Sequence, residues 1–162
     1  MADYTCQSIR PAGTWAGSFE VCVLTYDERF LRRKVIRTAH DETLLVDLAQ
    51  ATSVEPGDAF ELTDGRIIEC FAADEALYKV TGYLPLLAYH IGNRHTPCQI
   101  ENDHLLIQRD HVLKDMIARL KGRVEEFFGP FAPEGGAYGY GRTHGHDHGH
   151  VHVNASDHDH GH

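Results

Sequence analysis

The residues best suited to chemistry crowd the stretch THGHDHGHVHVNASDHDHGH. In it His144, His146, His148, His150, His152, His158, His160 and His162 are separated mostly by single Gly, Asp or Val residues. Neutral imidazole is a good ligand for nickel, zinc and copper, and this alternation lets several rings of one segment reach one ion. Asp147, Asp157 and Asp159 add negative charge that attracts a dication, while Gly145, Gly149 and Gly161 keep the backbone pliable enough to wrap. Ordering such a segment costs entropy at every binding event, so its sites should be weak, several and interchangeable. That suits collecting ions better than holding one in a fixed geometry. An affinity tag would be an uninterrupted run, which this is not. A metal-free tail that titrates near neutrality is the bland alternative. Ligand type does not select the metal: the intrinsic affinity order favours copper over nickel and zinc.

Five further histidines precede the tail: His40, His90, His95, His104 and His111. In YHIGNRHTP the five-residue spacing of His90 and His95 is not the i, i+4 step that puts two ligands on one helical face. Gly92-Asn93 suggests a helix C-cap between them, which leaves His90 at a helix end and His95 in the loop beyond. His90 then reads as a ring stabilised by the helix terminus. His95 is exposed and free to ligate, but one nitrogen is not a site. Two copies of the chain meeting across a two-fold axis could bring two His95 rings to one ion, completed by His111 or by the tail. His40 and His104 read as surface turn residues.

The elements that must position these rings change character along the chain. From Phe19 to Cys70, FEVCVLTY, RRKVIRTA, TLLVDLA, FELT and RIIEC read as short strands, with a turn at Pro56-Gly57. Asp64-Gly65 reads as a two-residue type I′ hairpin turn. EALYKVT then reads as a strand and GYLPLLAYHIGNRH as a helix with Pro85 in its first turn. CQIEN and HLLIQ follow as two strands around Asp103. Asp110 can cap a helix carrying Leu113, Met116, Ile117, Leu120, Val124 and Phe127 at helical spacing, and GAYGYG offers a last strand. The fold class is therefore α+β. We expect a small N-terminal β-domain over residues 1–73, a ferredoxin-like βαββαβ domain over 74–142 and a disordered His-rich tail over 143–162.

Charge and composition exclude several functions. Fifteen basic against 24 acidic residues give a net −9, which argues against nucleic acid and anionic membranes. The opening MADYTCQSIRPAG has neither a basic nor an apolar signal region, and no apolar run approaches the ~18 residues of a membrane span, so a cytoplasmic protein is expected. Cys6, Cys22, Cys70 and Cys98 form no CxxC pair, so a zinc ribbon is not indicated and reduced thiols are. No HExxH or comparable constellation of three fixed ligands and a general base appears, so an enzyme is not expected.

Three segments, in this order, carry a resemblance: YHIGNRHTPCQIE, LLIQRDHVLKDMIARL and PEGGAYGYGRTHGHDHGH. With ERFLRRKVIRT and PGDAFELTDGRII as looser matches, the chain resembles the UreE family of urease accessory proteins, nickel metallochaperones, over roughly residues 15–150. The resemblance implies an N-terminal domain for protein contacts and a C-terminal domain that binds metal and forms a homodimer. The family's interfacial nickel ligand falls on His95, and a further ligand of some members on His111. A residue that is histidine in some relatives is Arg109 here, and a guanidinium cannot ligate a cation. The cargo implied is Ni(II), with Zn(II) and Cu(II) as competitors in vitro. The implied partners are the urease accessory GTPase, the other urease accessory proteins and apo-urease. A non-specific buffer of zinc, copper or nickel remains the alternative that the tail alone permits, and an interaction protein working through its β-domain is a third.

Overall fold

The computed structural model describes residues 1–135; GAYGYG and the eight tail histidines lie outside the described residues. Six strands make the first sheet: β1 (Tyr4–Arg10), β2 (Glu20–Leu24), β3 (Phe30–Arg37), β4 (Thr43–Ser53), β5 (Ala59–Leu62) and β6 (Ile67–Ala72). Their order is β2-β6-β5-β1-β4-β3, with β1–β4 and β2–β6 parallel. The N–H of Ala39, in the turn after β3, donates to the Val21 carbonyl of β2 at 2.9 Å. That bond brings the two ends of the sheet together, so it curls around a core that includes Cys6, Cys22, Leu44, Val46, Phe60 and Ile68. β1 was not anticipated from sequence. Its apolar residues are sparse, and a bulge between Cys6 and Ser8 breaks the two-residue period that would have revealed it.

The hairpin between β5 and β6 also differs from expectation. The Gly65 N–H donates to the Leu62 carbonyl at 2.9 Å, and the Leu62 N–H donates to the Arg66 carbonyl at 2.9 Å. The loop is therefore Thr63-Asp64-Gly65, three residues long, and only Gly65 has a positive φ, +89°. Gly supplies the left-handed position of such a loop without steric cost. Asp64 instead holds the loop by accepting from the Arg66 N–H at 3.0 Å.

The second sheet belongs to a ferredoxin-like unit: β7 (Asp74–Thr81), α1 (Leu84–Asn93), β8 (Cys98–Ile100), β9 (Leu105–Gln108), α2 (His111–Arg119) and β10 (Arg123–Pro130). Its order, β10-β7-β9-β8, is antiparallel throughout. Both helices cover one face, where Leu87, Ile91, Leu113 and Ile117 pack on Val80, Leu105 and Ile107. The second helix is shorter than its apolar spacing suggested. Val124 and Phe127 lie in β10, which supplies the last strand of the unit in place of the one expected in GAYGYG. Gly122 is required by the turn that follows α2. A Cβ there would sit 2.7 Å from Ile117 Cγ2 and 3.1 Å from both Leu87 methyls, so the chain turns where only a bare backbone fits.

The other face of this sheet meets the first domain. Phe131, fully buried, packs on Leu77, Leu106 and Tyr26. Tyr26 meets it edge-on at 5.5 Å between ring centroids, and the Tyr26 N–H donates to Glu75 at 2.7 Å. Arg29, 1 % exposed, donates to the Leu24 carbonyl at 2.9 Å and to the Phe131 carbonyl. A buried guanidinium is tolerable only with such acceptors, so it locks the two units together.

Candidate metal centre

Two of the five histidines of the folded part are committed to carboxylates. The His40 ring meets Glu20 at 2.8 Å, and the His104 ring meets Asp103 at 2.6 Å. The hydrogen bond from His104 holds the Asp103 carboxyl below its usual range. His90 lies half-buried, its ring edge-on to Tyr89 at 5.3 Å. Only His95 and His111 combine an exposed ring with no hydrogen bond or ion pair among the described residues.

His95 owes its exposure to the way α1 ends. The helix runs through Gly92-Asn93, a residue or two further than the Gly-Asn pair suggested, and Arg94 is its C-cap. His95 follows with φ +56°, its N–H donating to Gly92 O at 2.9 Å, and the Thr96 N–H donates to Ile91 O at 3.5 Å. This is a Schellman ending with His95 in the left-handed position usually given to glycine. Histidine is among the few side chains enriched there, yet the conformation is strained for any residue with a Cβ. Strain alone does not mark a site, because α2 ends in the same motif with Lys121 at φ +61°. What sets His95 apart is its chemistry.

His111 opens α2. Asp110 caps that helix as expected, accepting from Val112 N–H at 2.8 Å and Leu113 N–H at 3.1 Å. His111 thereby stands on the first turn with its ring exposed, and it shares a depression of about 350 Å³ with Arg94, the neighbour of His95. So the end of α1 and the start of α2 face the same stretch of surface. Among the described residues no three His, Cys, Asp or Glu side chains come together around one ion position. His95 and His111 are therefore single donors in this protomer. The tail ligands expected at His144, His146, His148, His150, His152, His158, His160 and His162 lie outside the described residues.

The thiols are not donors in waiting. Burial pushes Cys6 and Cys98 up to about 11, and Cys22 and Cys70 up to about 12. All four are free. A metal ligand must be the thiolate, which these environments disfavour.

Two features escaped the sequence. Arg109 ties the sheet: its Nε donates to Leu77 O at 3.0 Å and its Nη2 to Phe127 O at 3.3 Å, linking β7 to β10. No sequence signal distinguishes that role from surface charge. The second concerns the segment that leads to the tail. The Ala132 N–H donates to the Gln99 side chain, and the Glu134 N–H donates to the Cys98 carbonyl, both at 2.9 Å. Residues 131–134 thus run along β8, whose first residue lies three positions after His95.

A curled β-domain joined to a ferredoxin-like unit that offers isolated, exposed imidazoles defines a two-domain α+β protein suited to holding ligands at its surface. Family comparison agrees at both ends. The model described as UreE urease accessory protein, N-terminal domain, matches residues 6–73, and the corresponding C-terminal domain model matches residues 75–162. The chain belongs to the UreE urease accessory protein family. It is 59% identical to the urease accessory protein UreE of Ruegeria pomeroyi over 138 residues, covering 85% of this chain and 93% of that one. The UreE proteins of Cereibacter sphaeroides and Rhodobacter capsulatus are 56% and 53% identical, over 80% and 83% of this chain and 72% and 86% of theirs.

Proposed function

We propose that this chain is a nickel metallochaperone in urease maturation, taking up Ni(II) on histidine side chains and passing it on for assembly of the urease active site. The observation that carries the reading is His95: an exposed imidazole with no partner among the described residues, held out at a helix end beside the strand to which the root of the histidine tail is fastened. From Glu134 to His144 is ten residues, a contour of at most about 35 Å. The three residues from Cys98 back to His95 span at most about 11 Å, so the early tail imidazoles are within reach.

A single donor needs others, and a homodimer supplies them. The outer face of α1 leaves Tyr83 71%, Leu86 38% and Tyr89 64% exposed, an apolar strip leading toward His95. Pairing that strip across a two-fold axis would bury it and bring two His95 rings to one ion, with His111 and a tail histidine, His144 or His146 first, as further donors. The remaining tail imidazoles would raise the local supply of ions. The division of labour then follows the domains: residues 1–73 for protein contacts, 74–142 for dimerisation and metal, 143–162 for collection. The recipients would be the urease accessory GTPase, the other urease accessory proteins and apo-urease. No bond-breaking step is required, and the setting is the cytoplasm; among the described residues no helix is long and apolar enough to cross a membrane. Zinc and copper would compete in vitro, and buffering of such ions is the reading that the tail alone would support; family membership favours delivery.

Calorimetric titration of nickel, combined with analytical ultracentrifugation, tests this. The full chain should be dimeric and bind several ions. His95→Asn should remove the tightest one and leave the weaker class. A monomer that holds no nickel at neutral pH would end the proposal.

A further inference from the structure

We propose that the depression beside His95 docks an acidic segment of the protein that receives the metal; this rests on reading the chain as a metal donor. The depression, about 350 Å³, is lined by Arg94, His111, Val112, Asp115, Met116 and Arg119. His111, Asp115 and Arg119 recur every four residues along one face of α2, and Arg94 comes from the end of α1. Among the other described arginines, Arg10, Arg29, Arg33, Arg37, Arg66 and Arg109 are engaged by carboxylates or carbonyls, while Arg32 and Arg123 are not and do not line this depression. The guanidiniums of Arg94 and Arg119 have no hydrogen bond or ion pair among the described residues. Two unengaged cations thus flank one concavity on a chain of net charge −9.

The lining selects the occupant. Two guanidiniums make the depression favour an anionic occupant, and each can take a carboxylate through two parallel hydrogen bonds. Val112, 44% exposed, and Met116 give an apolar floor that suits aliphatic side-chain stems, and methionine adapts to irregular partners. Asp115 adds one negative charge to the same lining. A continuous polyanion such as nucleic acid or polyphosphate would meet that carboxylate head-on. A polypeptide can place separate acidic residues on Arg94 and Arg119 and present an uncharged or basic residue to Asp115. Because the rest of the molecule repels acidic partners, this patch would fix where they settle. A segment bound here lies against His111 and one residue from His95, where the recipient's own ligands can compete for the ion.

The test uses full-length, nickel-loaded protein and the purified urease accessory GTPase, with affinity read by biolayer interferometry. The Arg94→Glu/Arg119→Glu double variant should weaken binding at least about tenfold, and the Gln pair, which introduces no new charge, several-fold. Asp115→Asn should tighten it. Nickel titration of the same variants should match the wild type. Unchanged GTPase affinity in the double variant overturns the proposal, as does an equal loss in an Arg32→Glu/Arg123→Glu control, which would make the effect one of net charge. Disappearance of the arginine effect once Asp147, Asp157 and Asp159 are changed to Asn would make the chain's own tail the occupant, and also overturns it. A wild type that binds no nickel defeats the metal-donor reading, whereas a wild type that binds nickel but not the GTPase defeats the docking proposal alone.

Discussion

His95 allows its backbone and its ring to be tested separately. Its φ of +56° costs a residue with a Cβ about 1–2 kcal/mol relative to ordinary helical geometry. Glycine escapes that cost but loses about 0.5–1 kcal/mol of extra backbone freedom on folding. His95→Gly should therefore stabilise the fold by a net ~0.5–1 kcal/mol while deleting the imidazole. For a chain of this size that is a rise of about 1–4 °C in the thermal midpoint. His95→Asn should be close to neutral, since asparagine is at home in the left-handed region. Lys121→Gly is the matched control: the same motif and a φ of +61°, but no donor atom suited to nickel at neutral pH. Urea unfolding and nickel titration on the three variants give the answer together. Stability should rise in both glycine variants, while tight nickel is lost only where His95 is replaced. A His95→Gly variant less stable than wild type would refute the backbone argument, and one that keeps the tight ion would refute the ligand assignment.

Four further expectations follow. Gly122→Ala should cost about 1–3 kcal/mol because its Cβ would meet Ile117 and Leu87, whereas Gly92→Ala, with nothing within 4 Å, should gain about 0.5–1 kcal/mol of helix propensity. Denaturant midpoints measured side by side decide it. Arg29→Met should strand the Leu24 and Phe131 carbonyls, at about 1–3 kcal/mol each, and calorimetry should show unfolding of the two units drifting apart. His104→Gln should let the Asp103 carboxyl rise toward its ordinary value. The depressed carboxyl favours folding above its unfolded pKa and loses that effect as pH falls through the folded one, so the variant's stability should depend less on pH in the acid range, with carboxyl NMR shifts as the readout. Nickel occupancy should fall between about pH 7.5 and about pH 5.5, either side of the ordinary imidazole range, because each ring must be neutral to bind. Equilibrium dialysis at the two values would contradict this if occupancy stayed constant.

What was legible in the sequence was whatever local chemistry dictates. Asp110 announced its helix because a carboxylate before an apolar period has one obvious use, and Pro85 was compatible with the first turn of α1 for a similar reason. The β-α-β-β-α-β order could be read although one strand was misplaced. That error shows where local reasoning stops: Val124 and Phe127 continue the helical period of α2, yet the helix closes at Lys121-Gly122, where Leu87 packs against the bare glycine. The strand β1 stayed hidden because a bulge and polar residues mask its alternation. At the candidate site, loop position and the family resemblance, not residue type alone, singled out His95 and His111; His40 and His104 were read as surface turn residues, but their carboxylate partners depend on the fold and were not legible. Nor could it show that Arg94 and Arg119 share a concavity, because they come from different helices.

The fate of the four thiols reaches beyond folding. Burial that raises all four thiols well above neutrality disfavours the thiolate that a soft ion such as monovalent copper would need as a ligand in the folded part. The same protonation slows exchange with glutathione and oxidation by peroxide. The four thiols of the folded part should therefore stay reduced through changes in the redox environment.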